Sequence, residues 1–141
     1  MYKGKMNIKI KEIKVETKER IQLIDVTDQI ESFVKESGVK SGLCLIHSLH
    51  STTAIIINER EEGLIQDLIH EAQKVFPKEA GWLHNRIDDN ADAHLASAFI
   101  GSSKIFPVKE AKLIRGAWQN IFLLELDGPR TRRIIIEVLG E

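Results

Sequence analysis

Residues 117–139 read AWQNIFLLELDGPRTRRIIIEVL. Two apolar runs flank Asp127-Gly128-Pro129-Arg130, and the pattern predicts strands over roughly 117–126 and 132–139 joined by that turn. Both runs carry apolar residues on both parities, with Ile121 and Leu123 alternating with Phe122 and Leu124. Successive side chains of a strand face opposite sides, so these strands need cover on both faces. Another sheet, a helix or a neighbouring subunit would serve, and the pattern does not choose among them.

Upstream of this pair, 105–108 reads as a strand. The short apolar runs 43–46 and 54–57 read as buried strands. Near the start, Ile8 and Ile10 alternate with polar neighbours, and Ile13 and Val15 continue on the opposite parity. That slip at Lys11 and Glu12 reads as a bulge, and Ile21 and Leu23 read as the hairpin partner. Three helices complete the pattern. The first spans 28–37, with Thr27 as N-cap, Ile30, Phe33 and Val34 on one face and Gly38 as the left-handed stop. The second spans 60–76, with Leu64, Ile65, Leu68, Ile69 and Ala72 at helical spacing and Pro77 as terminator. The third is short, capped by Asp89 or Asn90, and ends at Gly101. The order of elements is that of an α+β fold, a single domain over 1–141 of mostly antiparallel strands with about three helices.

Composition narrows the function classes. Twenty Lys and Arg stand against 21 Asp and Glu, a net charge of -1, which removes the long-range attraction that draws nucleic acid or anionic membranes. One cysteine, Cys44, has no intramolecular partner. The N-terminal stretch is basic but lacks the apolar segment of a signal peptide, and no run approaches the roughly 18 residues of a membrane span. The expectation by default is a cytoplasmic protein that binds neither nucleic acid nor membrane. No phosphate-cradling glycine loop, nucleophile elbow or paired-cysteine metal knuckle is present.

Polar chemistry gathers in three stretches: 47–53 with Asn58 and Glu59, 84–94, and Trp118-Gln119 with Asp127 and Arg130. His50, His84 and His94 could converge on one divalent metal, since three imidazoles and an open position make a catalytic zinc site. The alternative is that they are ordinary hydrogen bonders. Asp88, Asp89 and Asp92 offer oxygen ligands for Mg²⁺, or simply the solvated start of a helix. Glu59 is either a general base or the acidic opening of the next helix. Gln119 either binds a ligand or pins a loop. Arg130, Arg132 and Arg133 form a basic cluster whose forks match phosphate oxygens.

Taken together, His50-Ser51-Thr52-Thr53-Ala54, Asn58-Glu59, Trp82-Leu83-His84, residues 90–95, Gly101 with Ser103, Pro107-Val108, Gly116-Ala117-Trp118-Gln119 and Asp127-Gly128-Pro129-Arg130 resemble the YjbQ family, also called secondary thiamine-phosphate synthase. The match runs from about residue 10 to Gly140. The resemblance implies an α+β homotrimer that weakly joins a pyrimidine pyrophosphate to a thiazole phosphate. It implies a histidine cluster of His50, His84 and His94 that holds a divalent metal (Zn or Mg), with Glu59 and His84 as catalytic groups. Asn58, Ser103, Gln119, Arg130 and Arg132 become candidates for the pocket of a phosphorylated substrate. A non-catalytic trimeric binding module and a metal-dependent hydrolase remain as alternatives. The chain departs from the family pattern at Ala111 (usually glycine), Arg115 (usually apolar) and Ala117 (usually threonine).

Overall fold

The computed structural model describes residues 4–141; the first residues of the basic N-terminal stretch lie outside them. The elements are β1 (Asn7–Glu16), β2 (Gln22–Asp25), α1 (Thr27–Ser37), β3 (Ser41–Ser48), β4 (Thr53–Asn58), α2 (Glu62–Val75), a 3₁₀ turn (Leu83–Arg86), α3 (Ala91–Ile100), β5 (Ser103–Lys109), β6 (Lys112–Leu113), β7 (Asn120–Glu125) and β8 (Thr131–Gly140). They form an antiparallel five-stranded sheet, β1-β8-β3-β5-β6, and an antiparallel three-stranded sheet, β2-β7-β4. The two sheets enclose one core with Ile46, Ile55, Ile121, Leu123, Ile134 and Ile136 at its centre. No helix among the described residues is long and apolar enough to cross a membrane.

The double-parity pattern of β7 is explained by this arrangement. Ile121 and Leu123 face the large sheet, whereas Leu124 packs outward with Leu126, Ala54, Ala93 and Ala96 under α3. In β8 only one face is sealed. Ile134, Ile136 and Val138 are buried, and Ile135 and Leu139 on the other face are half-buried. That outer face continues into Ile8, Ile10, Leu43 and Ile105, all exposed. The slip in β1 has the same origin and is not a bulge: pairing with β8 runs unbroken from Asn7 opposite Gly140 to Glu16 opposite Thr131. Ile8 and Ile10 simply lie on the outer face, and Ile13 and Val15 on the core face. Nor does β2 pair with β1. Thr17 bonds back to the Arg130 backbone, and the Gln22 side chain accepts from the Lys18 and Glu19 amides. The chain is thereby turned into the other sheet, where β2 pairs with β7.

α1 and α2 start one and two residues away from the sequence reading, and the caps account for it; α3 begins at Ala91, directly after Asn90, one of the two caps read from the sequence. At α1 the Asp25 carboxylate accepts from the Thr27 amide, while the Thr27 hydroxyl accepts from the Ile121 amide instead of capping the helix. Gly38, at φ 75°, ends α1 as the sequence indicates. At α2 the Glu61 side chain accepts from the Gly63 and Leu64 amides. This helix buries no residue fully, and its apolar stripe covers the small sheet only in part. α3 is pinned by a bidentate pair, with Arg20 Nη1 and Nη2 3.1 and 3.0 Å from the Asp92 carboxylate.

At the end of the sandwich where β7 hands over to β8, Glu125 and Arg132 meet between the sheets, at 0% and 3% exposure. Arg132 donates from Nε to Glu125 Oε1 at 2.8 Å and from Nη2 to Oε2 at 2.5 Å and to Thr52 Oγ1 at 2.9 Å. The Thr17 hydroxyl and the amides of Leu126 and Asp127 complete the carboxylate's shell. Burial alone would push the Glu125 carboxyl up, but the bonds from Arg132, Asp127 and Thr17 outweigh it and hold the group below its ordinary 4.5.

Glu125→Ala strands a buried guanidinium and is expected to cost about 3–5 kcal/mol in urea unfolding, whereas the double variant Glu125→Leu, Arg132→Met recovers most of it. Because Glu125 is held below its ordinary value, the unfolded chain takes up the proton first as pH falls. The contribution is complete above about pH 5 and is lost below it, so the acid limb of the stability profile flattens in the double variant. Ala111, at φ 63°, occupies the left-handed region; Ala111→Gly is expected to stabilise by up to about 1 kcal/mol, as the relief of strain exceeds the added chain entropy.

Candidate functional site

Directly outside the Glu125–Arg132 pair lies an open cleft of about 530 Å³, lined by the 49–52 loop, Asn90 and His94 of the α3 start, and Asp127, Arg130, Thr131 and Arg132. Its floor is Arg132, whose Nε and Nη2 are already committed to Glu125 and Thr52. Its rim is Arg130. Nε and Nη2 of Arg130 donate to the Asp127 carbonyl and to Asp127 Oδ2 at 2.8 and 3.1 Å, which leaves Nη1 for a ligand. The turn that carries both residues is held against the β1–β2 connection. Gly128 donates to the Arg20 carbonyl, and a Cβ there would fall 2.3 Å from the Glu19 carbonyl oxygen, so only glycine fits.

His50 faces the cleft from the loop between β3 and β4. Its Nε2 accepts from the Arg133 backbone amide at 2.8 Å. Burial, then the charges of Arg132 and Arg133, lower its pKa below the ordinary 6.5, so the ring is neutral at neutral pH. Across the cleft, His84 and His94 meet edge to face with ring centroids 4.8 Å apart. His84 Nε2 lies 3.1 Å from Asn90 Oδ1, and Asn90 Nδ2 donates to Asp127 Oδ2 at 2.8 Å. A second, apolar hollow of about 360 Å³ lined by Trp82, Leu83, His84, Ala91, His94 and Leu95 adjoins the first at His94.

The candidate residues therefore fall into groups. His50, His94, Arg130 and Arg132 line one cleft, and His84 stands beside it. Asn58, Glu59 and Gln119 sit elsewhere: Thr53 pairs with Glu125 and Asn58 with Asn120, so the two ends of β4 are about 17 Å apart at ~3.3 Å per residue. There Gln119 pins its own turn, accepting from the Gly116 amide at 2.7 Å, and Arg115 bonds the Gln119 carbonyl and Glu31. Trp118 beside it is 72% exposed. Ser103 lies on the outer face of the large sheet, 2.6 Å from His47 Nδ1.

Among the described residues no three His, Cys, Asp or Glu side chains are grouped closely enough to share an ion. Asp92 is occupied by Arg20. His50 already uses its one ring lone pair, on Nε2, in a bond within the protein, so as held here the three imidazoles do not form a ligand set.

Three residues outside the candidate set organise the site, although Asn90 and Asp127 lie in the polar stretches named above. Glu125 carried a legible signal, a single charge inside an apolar run. Asn90 and Asp127 gave none beyond helix cap and turn, because their partners are 6 and 37 residues away from Asn90.

The chain matches the family model described as UPF0047 protein YjbQ-like over residues 11–141. It is 44% identical to a UPF0047 protein of Archaeoglobus fulgidus, covering 91% of this chain and 99% of that one, and 36% identical to the UPF0047 protein YugU of Bacillus subtilis, covering 93% and 99%. A crystal structure of a YbjQ-like protein of unknown function from Sulfolobus solfataricus superposes with a TM-score of 0.96 at 49% identity, covering 97% of this chain and all of that one. With the family match spanning nearly the whole chain and the fold shared throughout, the chain belongs to the YjbQ-like UPF0047 family.

Proposed function

We propose that the cleft holds the phosphate of a phosphorylated small molecule, and that the protein is a cytoplasmic small-molecule transferase that joins a pyrimidine pyrophosphate to a thiazole phosphate. The observation that carries this reading is the convergence of Arg130 and a neutral His50 on one open cleft beside an apolar hollow. Arginine forks and uncharged N–H donors suit phosphate oxygens, and the wall of Trp82 and Leu95 suits the flat ring such a substrate carries. In the transfer, pyrophosphate leaves a benzylic-type carbon, so neutralising the leaving charge matters more than a strong nucleophile. The thiazole nitrogen forms the new bond with its own lone pair as the carbon–oxygen bond to pyrophosphate breaks, so no proton leaves the nucleophile. Arg130 offsets the leaving charge, neutral His50 donates a hydrogen bond to it, and His84 orients the pyrimidine by accepting from its amino group. Arg132 positions the cleft while Glu125 balances its charge.

The trimer belongs to the same proposal. The outer face of the large sheet, with Ile8, Ile10, Leu43 and Ile105 exposed, is the surface a neighbouring copy would cover. Asn58, Glu59 and Gln119 then contribute to catalysis only where a neighbouring copy brings that end of the sheet to a cleft. A second reading places a divalent ion, zinc or magnesium, among His50, His84 and His94. It is favoured by the proximity of the His84 and His94 rings, and requires His50 to leave the Arg133 amide.

Arg130→Ala is expected to weaken pyrophosphate binding about tenfold to a hundredfold by calorimetry, with Gln66→Ala, on the exposed side of α2, as a control of small effect. Turnover of the two thiamine precursors is expected to disappear in Arg130→Ala and His84→Ala with the fold intact. Unchanged binding in Arg130→Ala removes the phosphate site, and binding without any product leaves a binding module. Metal analysis of wild type beside the triple variant His50→Ala, His84→Ala, His94→Ala decides the second reading: about one metal per subunit in wild type alone supports it. Light scattering of the same samples reports the trimer, and a monomeric mass excludes it.

A further inference from the structure

We infer that Asn90 and Asp127 are positioning residues that decide which ring nitrogen of His84 carries its proton, while the backbone amide of Arg133 imposes the opposite tautomer on His50. The deduction begins at Asp127. Its Oδ2 receives Arg130 Nη2 at 3.1 Å and Asn90 Nδ2 at 2.8 Å. An ionised carboxylate only accepts hydrogen bonds. The Asn90 amide must therefore turn its NH₂ toward Asp127, which sends Oδ1 toward His84. That oxygen, 3.1 Å from His84 Nε2, also only accepts. Nε2 therefore holds the hydrogen and Nδ1 keeps its lone pair.

The reverse arrangement is expensive. Flipping the Asn90 amide sets its carbonyl against the Asp127 carboxylate, two acceptors face to face, at a residue that is 7% exposed. Asn90 has no competing task as a helix cap, because its side chain makes no capping bond to α3. At His50 the logic runs the other way. A backbone N–H can only donate, so Nε2 accepts from Arg133 at 2.8 Å and Nδ1 holds the hydrogen.

The two imidazoles thus present opposite sense: His50 a donor, His84 an acceptor. If the cleft takes a phosphate, as proposed above, the donor suits its oxyanion and the acceptor suits a hydroxyl or amino proton on the same ligand. The signal passes from Arg130 through Asp127 and Asn90 to His84, and neither of the two bonds of Asn90 can be reversed singly.

The test is a two-bond ¹H–¹⁵N spectrum of histidine-labelled full-length protein without ligand at about pH 8, where imidazoles are neutral, with signals assigned by His50→Gln and His84→Gln. Wild type is expected to show His84 purely as the Nε2–H tautomer and His50 as the Nδ1–H tautomer, the less common form of a free imidazole. Asp127→Lys replaces an acceptor with a donor. It is expected to flip the Asn90 amide and move the His84 proton to Nδ1, leaving His50 unchanged. Asn90→Ala, which keeps Asp127, is expected to give a tautomer mixture at His84, and serves if the lysine variant does not fold. A wild-type His84 protonated on Nδ1, or a His84 spectrum unchanged in the folded variants, overturns the inference. Titrating pyrophosphate into the same wild-type sample separates this from the phosphate reading: absent binding with the expected tautomers removes only the latter.

Discussion

The structure turns on one buried ion pair. Glu125 ends the last strand of the small sheet and Arg132 opens the last strand of the large one, and both side chains point into the space between the sheets. Neither charge is tolerable there alone, because an unpaired buried ion costs several kcal/mol. Each therefore fixes the other. The pair also recruits Thr17 from the end of β1 and Thr52 from the approach to β4, so four chain segments are held at one point. Its contribution lies in where it holds these segments: a buried pair adds little net stability over an apolar replacement.

The cleft is a consequence of that point. With Glu125 and Arg132 fixed, the five residues between β7 and β8 must close a short turn, which presents Asp127 and Arg130 outward on the same side as the 49–52 loop. Asp127 then serves two residues at once, steering Arg130 and, through Asn90, His84. Chemistry that looks dispersed over eighty residues of sequence is thereby organised by one carboxylate that accepts and one backbone amide that donates. The far end of the same strands carries a different arrangement, in which Arg115 ties the Gln119 turn to α1. Arg115, expected from the sequence to depart from the family's pattern, holds that turn.

Much of the architecture was legible in periodicity. The double parity of β7 demanded two covering layers, and the sandwich with α3 outside supplies them. The pattern of β1 was legible too but ambiguous. A parity slip has the same signature whether a residue is inserted or the apolar face changes, and only the register with β8 distinguishes the two. The start of α1 was displaced because Thr27, a good cap in isolation, found a better partner at long range in Ile121.

The sequence by itself determined most of the elements, though not β6 or the 3₁₀ turn, and with them the α+β class, the family, and which residue types carry chemistry, because local spacing and composition encode burial and hydrogen-bonding capacity directly. It could not tell which of those residues meet. His50 and Arg130 share a cleft while Glu59 and Gln119 lie past the opposite end of β4 and β7, a strand length of about 17 Å, a separation set by antiparallel register. Only the tertiary structure decided that, because register is fixed by how two sheets bury their inner faces and by where a buried charge finds its counter-charge. Both depend on residues far apart in the chain.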